Sequence, residues 1–147
     1  MTTHRLGIIM HGVTGRMGYN QHLVRSICAI QAQGGVALAN GDRVMPDPIL
    51  VGRNAAKIAE IAKKHGIART STNLDQALAN EDDTVFFDAG STQMRTGLLA
   101  KAIDAGKHIY CEKPIADTLA DSISITRQAM KRGIKHAQFE YVAILDA

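Results

Sequence analysis

Three evenly spaced glycines near the start of the chain have the residue type and spacing to bind a phosphate group. The pattern is G-x-x-G-x-x-G from Gly12 to Gly18, and it follows the apolar run at 6–10. Glycine permits a sharp turn and close approach to a pyrophosphate, and the next helix offers free N–H groups to phosphate oxygens. The pattern predicts a dinucleotide site, although glycines in an ordinary turn are the competing interpretation. The loop residues assigned to the cofactor are Gly12, Thr14, Gly15, Arg16, Met17 and Gly18.

A glutamate, a lysine and a proline follow the apolar segment at 108–111. A buried strand that runs directly into these residues would place Lys113 at the mouth of a crevice. A lysine that is partly desolvated there can lose its proton and act in acid–base chemistry. A cis peptide bond before Pro114 would fix the direction of the lysine. We predict that Lys113 is catalytic; the competing interpretation is a surface lysine before a loop.

The residues after the second predicted strand bear on the choice between NADP and NAD. Dinucleotide-binding sheets usually carry Asp or Glu there, and its carboxylate binds the ribose 2′-hydroxyl. This chain instead has Arg53, followed by Asn54. A guanidinium is a planar fork suited to a 2′-phosphate, so we expect NADP (or NAD) as cofactor, with NADP favoured. Asn54 is assigned to the cofactor and is also a natural helix N-cap, which leaves Arg53 as a solvated residue in the competing interpretation.

A small polar turn follows the fourth predicted strand and contains Ser91 and Thr92. We assign both residues to the cofactor, because their hydroxyl groups can bind a ribose. Capping of the next helix is an equally good interpretation.

The elements that must position these residues alternate along the chain. Strands are predicted at 5–10, 48–52, 68–71, 84–89, 108–111 and 134–140, and helices at 16–32, 55–64, 73–79, 92–105 and from 118 to Gly133. Helices that end at glycine and are followed by a strand recur at Gly66 and Gly106. Alternation of this kind predicts an α/β fold, a doubly wound parallel sheet of the Rossmann type with strand order 3-2-1-4-5-6. The long segment at 33–47 has room for a short extra strand at 36–38.

Composition narrows the class of protein. The chain of 147 residues is 46% hydrophobic, which suits a single domain, predicted at 1–140 with a tail at 141–147. Its net charge of +3 comes from dispersed residues and does not indicate a nucleic-acid surface. Two cysteines without metal-ligand spacing favour a reduced, cytoplasmic protein, and we expect no metal site. No apolar run reaches the length of a membrane span, so we expect no membrane partner.

Three stretches, GVTGRMG, PILVGRN and AGKHIYCEKP, resemble the N-terminal half of the Gfo/Idh/MocA oxidoreductases, over about residues 5–136. The resemblance implies NAD(P)-dependent hydride transfer to or from a sugar, cyclitol or related polyol. It implies that Lys113 lies beside the nicotinamide and the substrate and takes part in catalysis. By the same resemblance, Glu112 lies near the nicotinamide ribose and Pro114 follows a cis peptide bond.

The sequence departs from the family in three places. Its glycine spacing is closer to that of dihydrodipicolinate reductase, and Arg95 stands where many members carry histidine. Family members continue into a second domain that binds substrate, and we expect this chain to lack it and to be incomplete as an enzyme. Two alternatives remain: a dihydrodipicolinate-reductase-like enzyme, or a nucleotide-binding module without turnover, whose edge strand at 134–140 could pair with a second copy as a homodimer.

Overall fold

The computed structural model describes residues 1–138, which form one seven-stranded sheet with helices on both faces. The strands are β1 (Thr3–His11), β2 (Val36–Ala37), β3 (Arg43–Val51), β4 (Arg69–Ser71), β5 (Asp83–Asp88), β6 (His108–Cys111) and β7 (His136–Gln138). The predicted extra strand is β2, and it runs antiparallel to the start of β3. All other pairings are parallel, so the predicted α/β class is confirmed.

The strand order is that of a doubly wound sheet. The continuous path is β2-β3-β1-β5-β6-β7, and β4 also pairs with β3. The predicted order, in these labels, reads β4-β3-β1-β5-β6-β7. The observed path differs in detail because β2 shares with β4 the outer edge of β3, pairing with its beginning while β4 pairs with its end.

Strand β3 begins at Arg43, five residues before the predicted start at 48, which corrects that boundary. Pro46 and Pro48 argue against a strand, because proline has no N–H for the ladder. Both prolines lie in the stretch 45–48, which pairs with β1 on one side and lies between the β2 and β4 pairings on the other. The missing N–H groups are therefore tolerated, and most of the segment at 33–47 belongs to a hairpin.

The helices are α1 (17–32), α2 (Ala55–His65), α3 (Leu74–Leu78), α4 (Thr92–Asp104) and α5 (Leu119–Lys131). Helix α1 has π-helical hydrogen bonding over Met17–Cys28 and becomes α-helical at Ala29–Ala32. Side-chain oxygens of Asn54, Asn73 and Thr118 cap the starts of α2, α3 and α5, as expected for these residue types. The predicted last strand and the tail lie partly or wholly beyond residue 138, outside the described residues.

The core has two layers because successive residues of each strand point to opposite faces of the sheet. Ile8, Met10 and Phe87 pack with α1 and α2, whereas Ile9 and Phe86 pack with the α3–α5 side. The two cysteines carry free thiols. Within residues 1–138, no helix is long and apolar enough to cross a membrane. This packing places the carboxyl ends of β1, β3 and β5 next to one another.

Candidate functional site

A crevice of about 270 Å³ lies at the carboxyl ends of β1, β3 and β5. This is the switch point of a doubly wound sheet, where such folds bind ligands. Its lining residues are His11, Gly12, Thr14, Gly15, Val51, Gly52, Arg53, Ala89, Gly90, Ser91 and Met94. Five of the predicted cofactor residues thus come together from three separate strand ends.

Two of the three glycines are required by the packing of the loop itself. Gly12 has φ +82°, and a Cβ built on it would lie 2.4 Å from the carbonyl carbon of Ala89. A Cβ on Gly18 would lie 2.3 Å from the carbonyl oxygen of Gly12. Gly15 differs, because its Cβ would meet only the Gly12 oxygen, at 3.4 Å. The space above Gly15 is therefore open, which fits close approach of a pyrophosphate to the backbone.

A second cavity of about 240 Å³ adjoins the crevice between the start of α1 and helix α2. Thr14 and Gly15 line both cavities. The charged residues around the second one are Arg16, Lys57, Glu60 and Lys64. The Nζ atom of Lys64 lies 5.6 Å from the centre of the Tyr19 ring, and interaction with the Tyr19 side chain raises the pKa of Lys64. The edge of the crevice nearest α2 is thus predominantly basic, which suits a phosphate.

The two side chains that follow β3, those of Arg53 and Asn54, differ in whether they already have a hydrogen-bond partner. Arg53 is exposed, and within residues 1–138 its guanidinium makes no hydrogen bond or ion pair. Asn54 instead caps α2, since its Oδ1 accepts a hydrogen bond from the Lys57 N–H at 3.0 Å. Arg53 can therefore meet a ligand directly, whereas the oxygen of Asn54 is already used.

The polar turn after β5 leaves one hydroxyl accessible. Ser91 occupies the N-cap position of α4, yet its side chain makes no capping hydrogen bond. Thr92 is the first residue of α4, is half-buried and does not line the crevice. Arg16 lines the neighbouring cavity, and Met17 is 40% exposed without lining the crevice.

The loop after β6 holds the three residues of the Glu-Lys-Pro motif. The bond between Lys113 and Pro114 is cis, as predicted. Glu112 is buried, and its Oε1 lies 2.5 Å from Nε2 of His22 on α1. Its Oε2 accepts a hydrogen bond from the Lys113 N–H at 3.3 Å. The Glu112 carboxylate therefore faces helix α1 and anchors the loop.

Lys113 is exposed, which corrects the expectation of a partly desolvated lysine. The reason is that the loop leaves the sheet at its carboxyl edge, where no other part of residues 1–138 covers this side chain. Its Nζ makes no hydrogen bond or ion pair within those residues. Lys113 is consequently available to a ligand but does not line the crevice itself.

The structure adds to the site a buried charged group that no sequence pattern predicted. Asp88, at the end of β5, has no exposed side-chain surface. Its carboxylate accepts hydrogen bonds from Arg95 Nε at 2.8 Å and the Gly90 N–H at 3.0 Å, and lies 2.6 Å from His11 Nδ1. Burial raises the pKa of Asp88, but these hydrogen bonds outweigh it and hold the pKa below its ordinary value. Asp88 is therefore an anion that links the glycine loop to α4.

No group of three or more His, Cys, Asp or Glu side chains among residues 1–138 is arranged to hold a metal ion. The arrangement described above suits an anionic dinucleotide: an open glycine loop, a basic edge and accessible polar groups at the switch point. The residues present thus fit a nicotinamide dinucleotide.

Comparison with known proteins agrees with this geometry. Residues 31–140 match the Gfo/Idh/MocA family, described as an oxidoreductase family with an NAD-binding Rossmann fold. The chain is 48% identical over 127 residues to a D-xylose dehydrogenase of Paenarthrobacter nicotinovorans, covering 86% of this chain and 33% of that protein. It is 31% identical over 109 residues to a 1,5-anhydro-D-fructose reductase of Ensifer adhaerens, covering 74% and 29%.

Among solved structures, levoglucosan dehydrogenase in complex with NADH and levoglucosan has a similar fold, with a TM-score of 0.76 and 23% identity. The match covers 91% of this chain and 34% of that one. The chain belongs to the Gfo/Idh/MocA oxidoreductase family and forms its NAD-binding Rossmann domain. It spans about one third of the length of the curated relatives named above.

Proposed function

We propose that this chain is the cofactor-binding part of an NADP-linked oxidoreductase that acts on a sugar or related polyol. The observation that carries the proposal is the crevice at the switch point, where open space above Gly15 adjoins the free guanidinium of Arg53. Family membership favours this function over a dihydrodipicolinate-reductase-like one.

In this proposal the pyrophosphate lies against the glycine loop and the start of α1. Backbone N–H groups and the helix dipole stabilise its negative charge. Arg53 binds the 2′-phosphate, with the basic edge formed by Arg16 and Lys57 nearby. The free hydroxyl of Ser91 binds a ribose.

Lys113 is the proposed acid–base residue at the nicotinamide end. When bound, the nicotinamide ring supplies the hydride acceptor or donor. The amine of Lys113 exchanges a proton with the substrate hydroxyl, and its freedom from other partners within residues 1–138 leaves its nitrogen available for this transfer. Glu112 holds the loop in place through His22.

A sugar or related polyol is the proposed substrate class because two relatives above the 30% level carry names that refer to sugars, a D-xylose dehydrogenase and a 1,5-anhydro-D-fructose reductase. We propose that residues outside this chain supply most of the substrate surface, since it spans about a third of those relatives. Orientation of the substrate is a large part of catalysis, so the chain alone should turn over slowly if at all.

Further partners are also proposals. The edge strand β7 could pair with β7 of a second copy to give a homodimer. Because the charged residues are dispersed, we propose that the chain does not bind nucleic acid. We propose no membrane partner either. Light scattering of the purified chain at several concentrations tests the homodimer, and a mass that stays monomeric throughout would contradict it.

The test of the proposed function combines a binding titration with a turnover assay. NADPH fluorescence should rise and saturate on addition of the chain, and hydride transfer across a panel of aldoses, cyclitols and polyols should be weak. Absence of NADPH and NADH binding would overturn the proposal. Binding of a dinucleotide by this chain, with no polyol turnover by a longer protein that contains it, would favour the non-catalytic module.

A further inference from the structure

Arg95 of helix α4 is almost completely buried, with 2% of its side chain exposed, and it donates hydrogen bonds to three groups of the site. Its Nε donates to Asp88 Oδ2 at 2.8 Å, and one terminal nitrogen donates to the Gly90 carbonyl at 2.7 Å. The other terminal nitrogen donates to the carbonyl of Pro114. A single guanidinium therefore joins the end of β5 and the turn that follows it to the loop that carries Lys113.

The contact with Pro114 completes the support of Lys113 on both sides. On the N-terminal side, the Glu112 N–H donates to the Asp88 carbonyl at 2.9 Å, and its carboxylate lies against His22. On the C-terminal side, Pro114 is held by Arg95. Lys113 lies between these two anchored neighbours, while its own amine makes no hydrogen bond or ion pair within residues 1–138.

The chemistry of the arrangement is specific to arginine. A guanidinium has five donors in a planar fork and can reach a carboxylate and two carbonyl groups at once, whereas an ammonium is a compact point charge. The Asp88 carboxylate balances the buried charge of Arg95 and remains ionised because its pKa is lowered. Gly90 keeps its own bond from its N–H to Asp88, so Pro114 depends more on Arg95 than Gly90 does.

We propose that Arg95 is a positioning residue that fixes the Lys113 loop relative to the crevice, so that Lys113 stands at the nicotinamide end of the bound dinucleotide. This inference rests on the proposed function. It predicts that Arg95 affects the nicotinamide half of the ligand far more than the adenine half, since its guanidinium contacts the Lys113 loop directly and reaches the glycine loop only through Asp88 and His11.

The experiment compares two ligands in one variant. NADPH is titrated by fluorescence, and 2′-phospho-ADP-ribose, which lacks the nicotinamide ring, is measured by displacement. Arg95→Lys should weaken NADPH binding by about tenfold, equivalent to about 1.4 kcal/mol, and the fragment by less than about twofold. Lys101→Met is the matched control, because Lys101 lies on the same helix and its amine donates to the exposed carboxylate of Asp75 at 2.8 Å, away from the crevice and the Lys113 loop.

A second variant keeps the test informative if Arg95→Lys does not fold. Asp88→Asn combined with Arg95→Gln removes both charges of the buried pair together, which proteins tolerate better than removal of one. The asparagine oxygen can still accept from Gly90, while the shorter glutamine cannot replace the guanidinium at Pro114. Asp88→Asn alone is the reference for this variant, because Asp88 also contacts Nδ1 of His11 in the crevice. Relative to that reference, the double variant should show the same selective loss of NADPH affinity.

Equal weakening of both ligands would assign Arg95 to general support of the crevice and overturn the proposal. Unchanged affinity for both ligands in both variants would overturn it as well. Failure of the parent chain to bind either ligand would instead overturn the proposed function, and the positioning role with it.

Discussion

A Cβ atom on Gly18 would lie 2.3 Å from the carbonyl oxygen of Gly12, whereas one on Gly15 would lie 3.4 Å from the same atom. The loop therefore packs on itself through Gly18 and leaves room at Gly15. The close packing of Gly18 against Gly12 therefore matters for folding, whereas the open space at Gly15 matters for ligand binding.

Substitution at these two positions should therefore have different consequences. Gly15→Val should fold and lose dinucleotide binding, because its side chain would enter the phosphate space. Gly18→Val should lower the free energy of unfolding by about 1–3 kcal/mol, the usual cost of overpacking. Thermal unfolding and NADPH titration check both, with Gly97→Val on the exposed face of α4 as the control. Normal NADPH binding by a folded Gly15→Val variant would show that the loop is misassigned.

Arg53 should determine the choice of cofactor. NADP should bind about tenfold more tightly than NAD, since a single phosphate contact is worth about 1.4 kcal/mol. Arg53→Ala should remove this difference while leaving the affinity for NAD nearly unchanged. Calorimetric titration of both cofactors measures it, with Arg127→Ala as the control because Arg127 is exposed on α5. Equal affinities in the parent chain would contradict the assignment.

A cluster of ion pairs around Asp83, at the start of β5 and so at the opposite end of this strand from the crevice, should make the free energy of unfolding depend on pH in the acid range. Asp83 is buried, which raises its pKa, but ion pairs with Arg69 and Arg5 outweigh this and hold the pKa below its ordinary value of 3.8. A lowered folded-state pKa means that the stabilisation is present above pH 3.8 and is lost as the pH falls through the folded-state value.

Melting temperatures measured from pH 7 to pH 2 test this dependence. Asp83→Asn should unfold more easily at neutral pH, by about 2 kcal/mol, because hydrogen bonds to charged groups are lost. It should also lose less stability than the parent chain below about pH 4. Parallel curves for the two proteins would show that Asp83 contributes nothing to the acid transition. Asp82→Asn, at an exposed neighbouring carboxylate, is the control.

The sheet could be predicted from sequence because its determinants are local. Short apolar strands alternate with amphipathic helices, and Gly66 and Gly106 end helices with positive φ. The start of β3 could not be predicted, because Pro46 and Pro48 are tolerated only through the gap between β2 and β4 at that edge. That gap is a property of the assembled sheet.

The partners of the charged groups in the site could not be predicted from the sequence either. Arg95 contacts Asp88 seven positions away and Pro114 nineteen positions away, and His22 meets Glu112 across ninety positions. No local pattern indicates which of these side chains are neighbours. The glycine loop and the Glu-Lys-Pro motif were recognisable because each is a short continuous stretch.

In the proposed function, Lys113 stands beside the nicotinamide of a dinucleotide bound in the crevice at the switch point. A crystal structure of the chain with NADP⁺ tests this most directly. We expect the pyrophosphate at Gly15 and the Lys113 Nζ within about 4 Å of the nicotinamide ring or its ribose. A dinucleotide bound in the crevice with the Lys113 amine directed away from the nicotinamide, or a dinucleotide bound elsewhere on the domain, would contradict the account.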